Sequence, residues 1–184
     1  IILRSEIIIT DTNISEASLG YIFNTFNKIP IFVDPVSTKK AKKISAYLDK
    51  IHTLKPNLSE AEAISGISIN NKKNLQLAAD WFHRKGLKRI FISMGKKGIY
   101  FSNASGSGSV SLNKELKVKN VSGAGDASMA ALVNAFKKNY GIKKSAYQAL
   151  IAASLAVENK STVNPLLTTK KITRIYNEFA SKKK

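Results

Sequence analysis

Cysteine is absent from the 184 residues, which excludes disulfides and thiolate metal sites. Histidine occurs only at His52 and His83, leaving no zinc cluster and no serine–histidine triad with an evident partner. No apolar run approaches the length of a membrane span, so no membrane partner is expected. The chain opens on Ile1-Ile2-Leu3-Arg4 without an initiator methionine or a secretory-signal pattern, and a reducing, cytoplasmic location is the expectation. Acidic residues are also scarce, with 12 Asp and Glu against 30 Lys and Arg and a formal net charge of +18. The lysines are scattered through helices and loops, and aromatic residues are not interleaved with a basic strip as a single-strand binder requires. The charge therefore reads as a solvated basic surface that attracts polyanionic nucleotides, and nucleic acid is not the expected partner.

What is present is an ordinary globular composition, 43% hydrophobic and 23% charged, on a chain long enough to bury a core as one domain over residues 1–184. Short apolar runs alternate with amphipathic ones. Strands are expected over Glu6–Thr10, Pro30–Asp34, Thr53–Leu54 and Arg89–Ser93, with Gly98–Phe101 as the hairpin partner of the fourth. Between them Ser15 opens a helix carrying Leu19, Ile22, Phe23 and Phe26. A Lys-rich helix turns Ala41, Ile44, Leu48 and Ile51 inward. Ser59 with Glu62 resembles a capping box, and Asn70 or Asn71 starts a helix that Gly86 stops. Asn103–Gly108 reads as a mobile Ser/Gly loop, with Val110 and Val118 in extended pieces. Three helices, 123–138, about 143–158 and 168–180, close the chain. This alternation predicts an α/β fold, a Rossmann-like parallel sheet covered on both faces in a three-layer α/β/α sandwich.

The stretch Gly123-Ala124-Gly125-Asp126 stands where polar, irregular chain gives way to a helix, with Ser122 as the candidate N-cap. Two glycines let backbone N–H groups approach a ligand, and a helix N-terminus favours an anion. Asp126 in the first turn then places a base beside an anion hole, which suits a transferring phosphoryl group. A capped helix whose Asp complements the dipole is the other reading of these four residues. Four further stretches, Asp34-Pro35-Val36-Ser37, Lys55-Pro56-Asn57 with Glu60, Ser93-Met94-Gly95 and Thr162-Val163-Asn164-Pro165, each lie at or near the end of a predicted element. In an open parallel sheet, ligands bind beyond the carboxyl ends of strands, where the first three of these would gather.

In this order the five stretches resemble the signatures of the ribokinase-like (PfkB) family of sugar and nucleoside kinases. Within it Phe32–Ser37, Ile51–Asn57 and Ser161–Pro165 are most similar to the pseudouridine kinases. The resemblance implies a ribokinase-like fold and ATP- and Mg²⁺-dependent phosphorylation of the 5′-hydroxyl of pseudouridine, with ribokinase or another sugar or nucleoside kinase as the alternative. It implies Asp126 as catalytic base and Gly123, Ala124 and Gly125 as the anion hole. It assigns Asn57 and Glu60 to Mg²⁺ through water, and Ser93 and Gly95 to the nucleotide phosphates. Asp34 and Ser37 fall on the nucleotide side, and Asn164 either lines the base pocket or the cation loop or opens a turn. A monovalent cation accompanies such sites, but Asn120 replaces the Asp that many members carry three residues before the first signature glycine. The family's first strands, lid and early Gly-Gly motif have no counterpart here, so the chain resembles the carboxyl-terminal, nucleotide-binding and catalytic portion of a longer kinase. In the full-length enzyme the resemblance implies a homodimer. Two other classes compete: a nucleotide-binding fragment without turnover, and a basic nucleic-acid binder. A P-loop and a dinucleotide fingerprint are both missing, since Gly106-Ser107-Gly108 lacks the third glycine and the following helix.

Overall fold

The computed structural model describes residues 2–112 and 117–181. Its strands are β1 (Ile8–Asp11), β2 (Ile31–Asp34), β3 (Thr53–Leu54), β4 (Arg89–Ser93), β5 (Ile99–Asn103) and β6 (Gly106–Val110). Its helices are α1 (Glu16–Thr25), α2 (Thr38–Ala41), α3 (Leu58–Ser65), α4 (Lys72–Arg84), α5 (Ala124–Lys137), α6 (Ile142–Val157) and α7 (Thr169–Ser181). Three 3₁₀ segments, Ile2–Arg4, Lys42–Lys50 and Gly95–Lys97, complete the order. The strands form one sheet in the order β1-β2-β3-β4-β5-β6. The first four run parallel, with Asp11 opposite Asp34, Val33 opposite Leu54, and Leu54 opposite Ile90. Parallel neighbours need a crossover of a dozen or more residues, so the short links Met94–Gly98 and Ala104–Ser105 make β5 and β6 antiparallel additions. The sheet is thus mixed, and the fold is of the expected α/β class.

Contacts divide the chain into two compact units: one holds the described residues up to Met94 together with Tyr100–Gly108, the other Gly95–Ile99 and the described residues from Ser109 onward. In the first, Ile31, Phe32 and Val33 are all buried, as in a parallel strand covered on both faces. Leu19 and Phe23 of α1, Ile44 and Leu48 of the 3₁₀ segment, and Leu75, Ala79 and Phe82 of α4 join the same core. In the second, small residues let helices approach closely: Ala127 and Ala131 of α5 and Ala152 and Ala156 of α6 share one cluster with Ile172 of α7.

Some local expectations are corrected. The Lys-rich segment buries Ala41, Ile44, Leu48 and Ile51 as expected, but most of it is 3₁₀ and it kinks at Tyr47 (φ −121°). There the Tyr47 ring packs on Phe23 at 5.1 Å and over Gly20, where a Cβ would lie 2.8 Å from the Tyr47 hydroxyl. Asn103–Gly108 is not a loose loop but the β5–β6 hairpin. Gly108 lies under the Phe101 ring, and the Ser107 hydroxyl donates to Gln76 Oε1 at 2.9 Å. Val110 ends that strand and is buried, whereas Val118 lies outside any strand.

His52, on the link into β3, stacks on Phe32 at 5.5 Å. Burial first, then the charges of Arg89 and Lys88, lower its pKa from 6.5 to about 4. Between those two values the unfolded chain binds a proton here that the folded chain refuses, so stability present at neutral pH is lost as pH falls through that window. The loss is expected to be roughly 2 kcal/mol after screening by solvent. Thermal unfolding in phosphate-free buffer should show His52→Gln flattening the decline between pH 6.5 and 4; an unchanged slope would refute this origin.

Candidate active site

The parallel register brings the carboxyl ends of β1 to β4 to one edge of the first unit. Asp11 lies opposite Asp34, and an isolated bridge pairs Asn57 with Ser93. Beyond β2, Asp34 Oδ2 receives Lys55 Nζ at 2.7 Å, and Lys55 is only 7% exposed. Asp34 Oδ1 also accepts from the Val36 N–H at 3.2 Å. Val36 sits at φ 63°, a conformation that costs a β-branched residue about 1–3 kcal/mol. Its neighbours hold it there: the Ser37 N–H donates to Pro35 O at 2.7 Å, and the Thr12 hydroxyl donates to the same carbonyl. Ser37 then caps α2 through the Lys40 N–H. The strained Val36 thus sits at the mouth of a strand, beside the Lys55–Asp34 ion pair.

After β3, pairing to β4 runs on through Pro56 O and the Asn57–Ser93 bridge, and α3 begins at Leu58. A capping box is present, but on Asn57 and Glu60 rather than Ser59 and Glu62. Asn57 Oδ1 accepts from the Glu60 N–H, and Glu60 Oε2 accepts from the Asn57 N–H, both at 2.9 Å. Glu62 instead accepts from the Ile69 N–H at 2.5 Å and fastens the chain after α3. Glu60 is 4% exposed. Burial raises its pKa, and the Asp34 charge adds to this against the opposing Asn57 hydrogen bonds and Lys55. A carboxylate so placed gains from a cation. Among the described residues no group of three or more His, Asp or Glu could hold a metal directly. Because Glu60 Oε2 already accepts the Asn57 N–H, this pair fits a divalent cation through intervening water rather than as direct ligands. Ser93 ends β4 with its N–H on Pro56 O at 2.8 Å and its hydroxyl turned to the same oxygen at 3.4 Å.

In the second unit, Gly95 (φ 57°) opens a 3₁₀ turn, and a Cβ there would meet open space. The N-cap of α5 is Gly123, not Ser122. Asn120 Oδ1 accepts the Ser122 N–H at 2.9 Å, and this turn delivers the chain to Gly123 in the left-handed region, φ 80°. A Cβ on Gly123 would lie 2.3 Å from Thr162 O, so only glycine lets this approach occur. The first intrahelical bond is Ala127 N–H to Gly123 O, leaving the N–H groups of Ala124, Gly125 and Asp126 ahead of it at the positive end of the helix. Asp126 is exposed, and among the described residues its carboxylate has no hydrogen-bond or ion-pair partner. Asn164 is occupied otherwise: its amide donates to Leu155 O at 2.8 Å and its Oδ1 accepts from Leu166 N–H at 2.9 Å, the turn-forming role. Asn120 is likewise engaged, donating to Lys160 O at 3.1 Å.

The sequence profile of the pfkB family of carbohydrate kinases matches residues 15–169. The chain belongs to the pfkB family. Pseudouridine kinase of Escherichia coli K12 is 41% identical over 167 residues, 91% of this chain and 53% of that protein. An uncharacterised sugar kinase of the same organism, YeiI, is 31% identical over 90% of this chain and 46% of its own length. The chain thus spans about half the length of these curated relatives. Arabidopsis thaliana ribokinase, solved with ribose and ATP, superposes with a TM-score of 0.79 at 21% identity, over 94% of this chain and 56% of that one. E. coli phosphofructokinase-2, solved with substrates and products, superposes with 0.83 at 21%, over 97% and 60%. These superpositions show the ribokinase-like fold.

Two contacts of this pfkB chain are not legible in its motifs, although their residues stand in them. Lys55 opens the Lys55-Pro56-Asn57 stretch, but its ion pair with Asp34 joins neighbouring strands. Thr162 opens the Thr162–Pro165 stretch, but it confines Gly123 through its backbone carbonyl, which no side chain announces.

Proposed function

We propose that this chain carries the catalytic portion of an ATP-dependent kinase that phosphorylates the 5′-hydroxyl of pseudouridine to pseudouridine 5′-phosphate. The observation that carries the reading is the 41% identity to the E. coli pseudouridine kinase across 91% of this chain. The free Asp126 carboxylate takes the proton of the 5′-hydroxyl as its oxygen attacks the γ-phosphorus of ATP. The bond from that phosphorus to the β-phosphate oxygen breaks, and ADP leaves. The N–H groups around Gly123, Ala124 and Gly125 hold the charge that develops on the transferring group. Ser93 and Gly95 offer a hydroxyl and bare backbone to the phosphates, and Asp34 and Ser37 serve the nucleotide side. Magnesium, when bound, neutralises phosphate charge, with Asn57 and Glu60 orienting its waters. Asn120 puts an amide where many members carry the Asp carboxylate of a monovalent-cation loop, so activity should be compared with and without potassium.

The test is mass detection of phosphorylated product from Mg-ATP and a panel containing pseudouridine, uridine and ribose. Preference for pseudouridine supports the assignment, and preference for ribose replaces it with the ribokinase reading. Glu60→Gln keeps an acceptor for the Asn57 N–H but removes the charge; it should raise the magnesium concentration needed for half-maximal rate by about 10–100-fold. An unchanged magnesium requirement would leave Glu60 as a helix cap alone.

A further inference from the structure

The catalytic reading uses the carboxyl edge of the parallel strands and leaves their amino edge unexplained. There the links into β2, β3 and β4 converge, because parallel strands all start on the same side. They bring Lys28, Asp49, Lys50, His52 and Lys88 around a cavity of about 90 Å³ within the first unit. That volume is below the roughly 150 Å³ that admits benzene in an engineered core, so the cavity suits one compact group rather than a nucleotide.

Its charge is one-sided. Asp49, the single acid lining it, is paired with Lys50 at 3.2 Å. Lys28 and Lys88 have no carboxylate partner among the described residues. Arg89, at the start of β4 and outside the lining, carries a guanidinium whose Nε is buried and among the described residues has no hydrogen-bond partner. With Asp49 offsetting Lys50, Lys28 and Lys88 leave an excess of positive charge around the cavity beside the neutral His52 imidazole, and an anion relieves it. We propose that this amino edge is a binding site for a small oxyanion, inorganic phosphate or the phosphate group of a monoester, held by Lys28, Lys50 and Lys88 beside His52. Burial first, then the charges of Arg89 and Lys88, lower the pKa of His52, and those two charges act in the direction that positive charge around the cavity gives. A polynucleotide is the poorer fit. The cations surround a concavity instead of forming a stripe, and the neighbouring ring, Phe32, is buried under His52 rather than offered to bases. The site lies on the opposite edge from Asp34, Asn57 and Ser93 and does not depend on the kinase reading.

The experiment is proton NMR of the two histidine rings during titration of the whole chain with inorganic phosphate, methyl phosphate, chloride at matched ionic strength, and a short single-stranded RNA. Saturable movement of the His52 signal with phosphate or methyl phosphate is expected, with His83 still and the His52 pKa raised by about one unit or more. The double variant Lys28→Gln/Lys88→Gln should weaken binding at least about tenfold, a loss of roughly 1.4 kcal/mol. Asp126→Asn should leave the response intact, separating it from anion binding at α5. Tighter binding of methyl phosphate identifies a monoester as ligand; tighter binding of inorganic phosphate identifies the free ion. An equal response to chloride, a response that survives the double variant, or saturation by RNA alone would overturn the proposal.

Discussion

Asp126→Asn is expected to lower the rate of phosphoryl transfer by about 10²–10⁴-fold, the range that a positioned general base contributes. The variant keeps the shape of the side chain and removes only its ability to accept a proton. Because Asp126 is exposed and among the described residues has no partner, no packing or ion pair is lost with the charge. The helix gives up only its dipole complement, worth about 0.3–1 kcal/mol. The thermal transition and nucleotide affinity should therefore stay close to those of the native chain while product formation collapses. Product formed equally by both proteins would remove Asp126 from the chemistry. If neither forms product yet both bind ATP, the chain is a nucleotide-binding portion that requires the remainder of a longer kinase.

Gly123→Ala is expected to be the most damaging single-methyl change at the glycines of the candidate site. The left-handed backbone at φ 80° costs an L-residue about 1–2 kcal/mol by itself. The new methyl must also displace the Thr162 carbonyl, 2.3 Å away, and backbone cannot yield as a flexible side chain does. Together these should destabilise the fold by about 2–4 kcal/mol, which for a chain of this length lowers the melting temperature by roughly 5–15 °C. The same shift would turn the N–H groups of Ala124 and Gly125 away from their present direction, so activity should fall with stability. Gly66 provides the control. It has φ 72° but open space where a Cβ would go, and Gly66→Ala should cost only the backbone term. Equal losses at the two positions would show that the approach of Thr162 is without consequence.

The candidate site was legible wherever its chemistry is local. Asp34, Asn57 and Ser93 each follow an apolar run, and register alone brings them to one edge. Gly123 to Asp126 announces a helix N-terminus by glycine, small residues and an acid in the first turn. Ser59/Glu62 and Asn57/Glu60 satisfy the same capping-box spacing, and the box forms on the second pair. What separates them is where pairing to β4 stops, at the Asn57–Ser93 bridge. Ser122 is the better N-cap by propensity, yet the helix starts one residue later, after Gly123 at φ 80°, a conformation that glycine adopts readily.

By itself the sequence determined the α/β class, the order of the elements and their inward faces, because periodicity records which side of each element avoids water. It also carried the family, through motifs whose residues act by their own backbone or charge. Tertiary structure decided the rest. It paired Lys55 with Asp34, held Val36 in its strained turn, made a hairpin of the Ser/Gly segment and gathered three lysines at the amino edge. Each of these joins residues distant in the chain, and only the register of parallel strands or the packing of one side chain on another fixes such contacts.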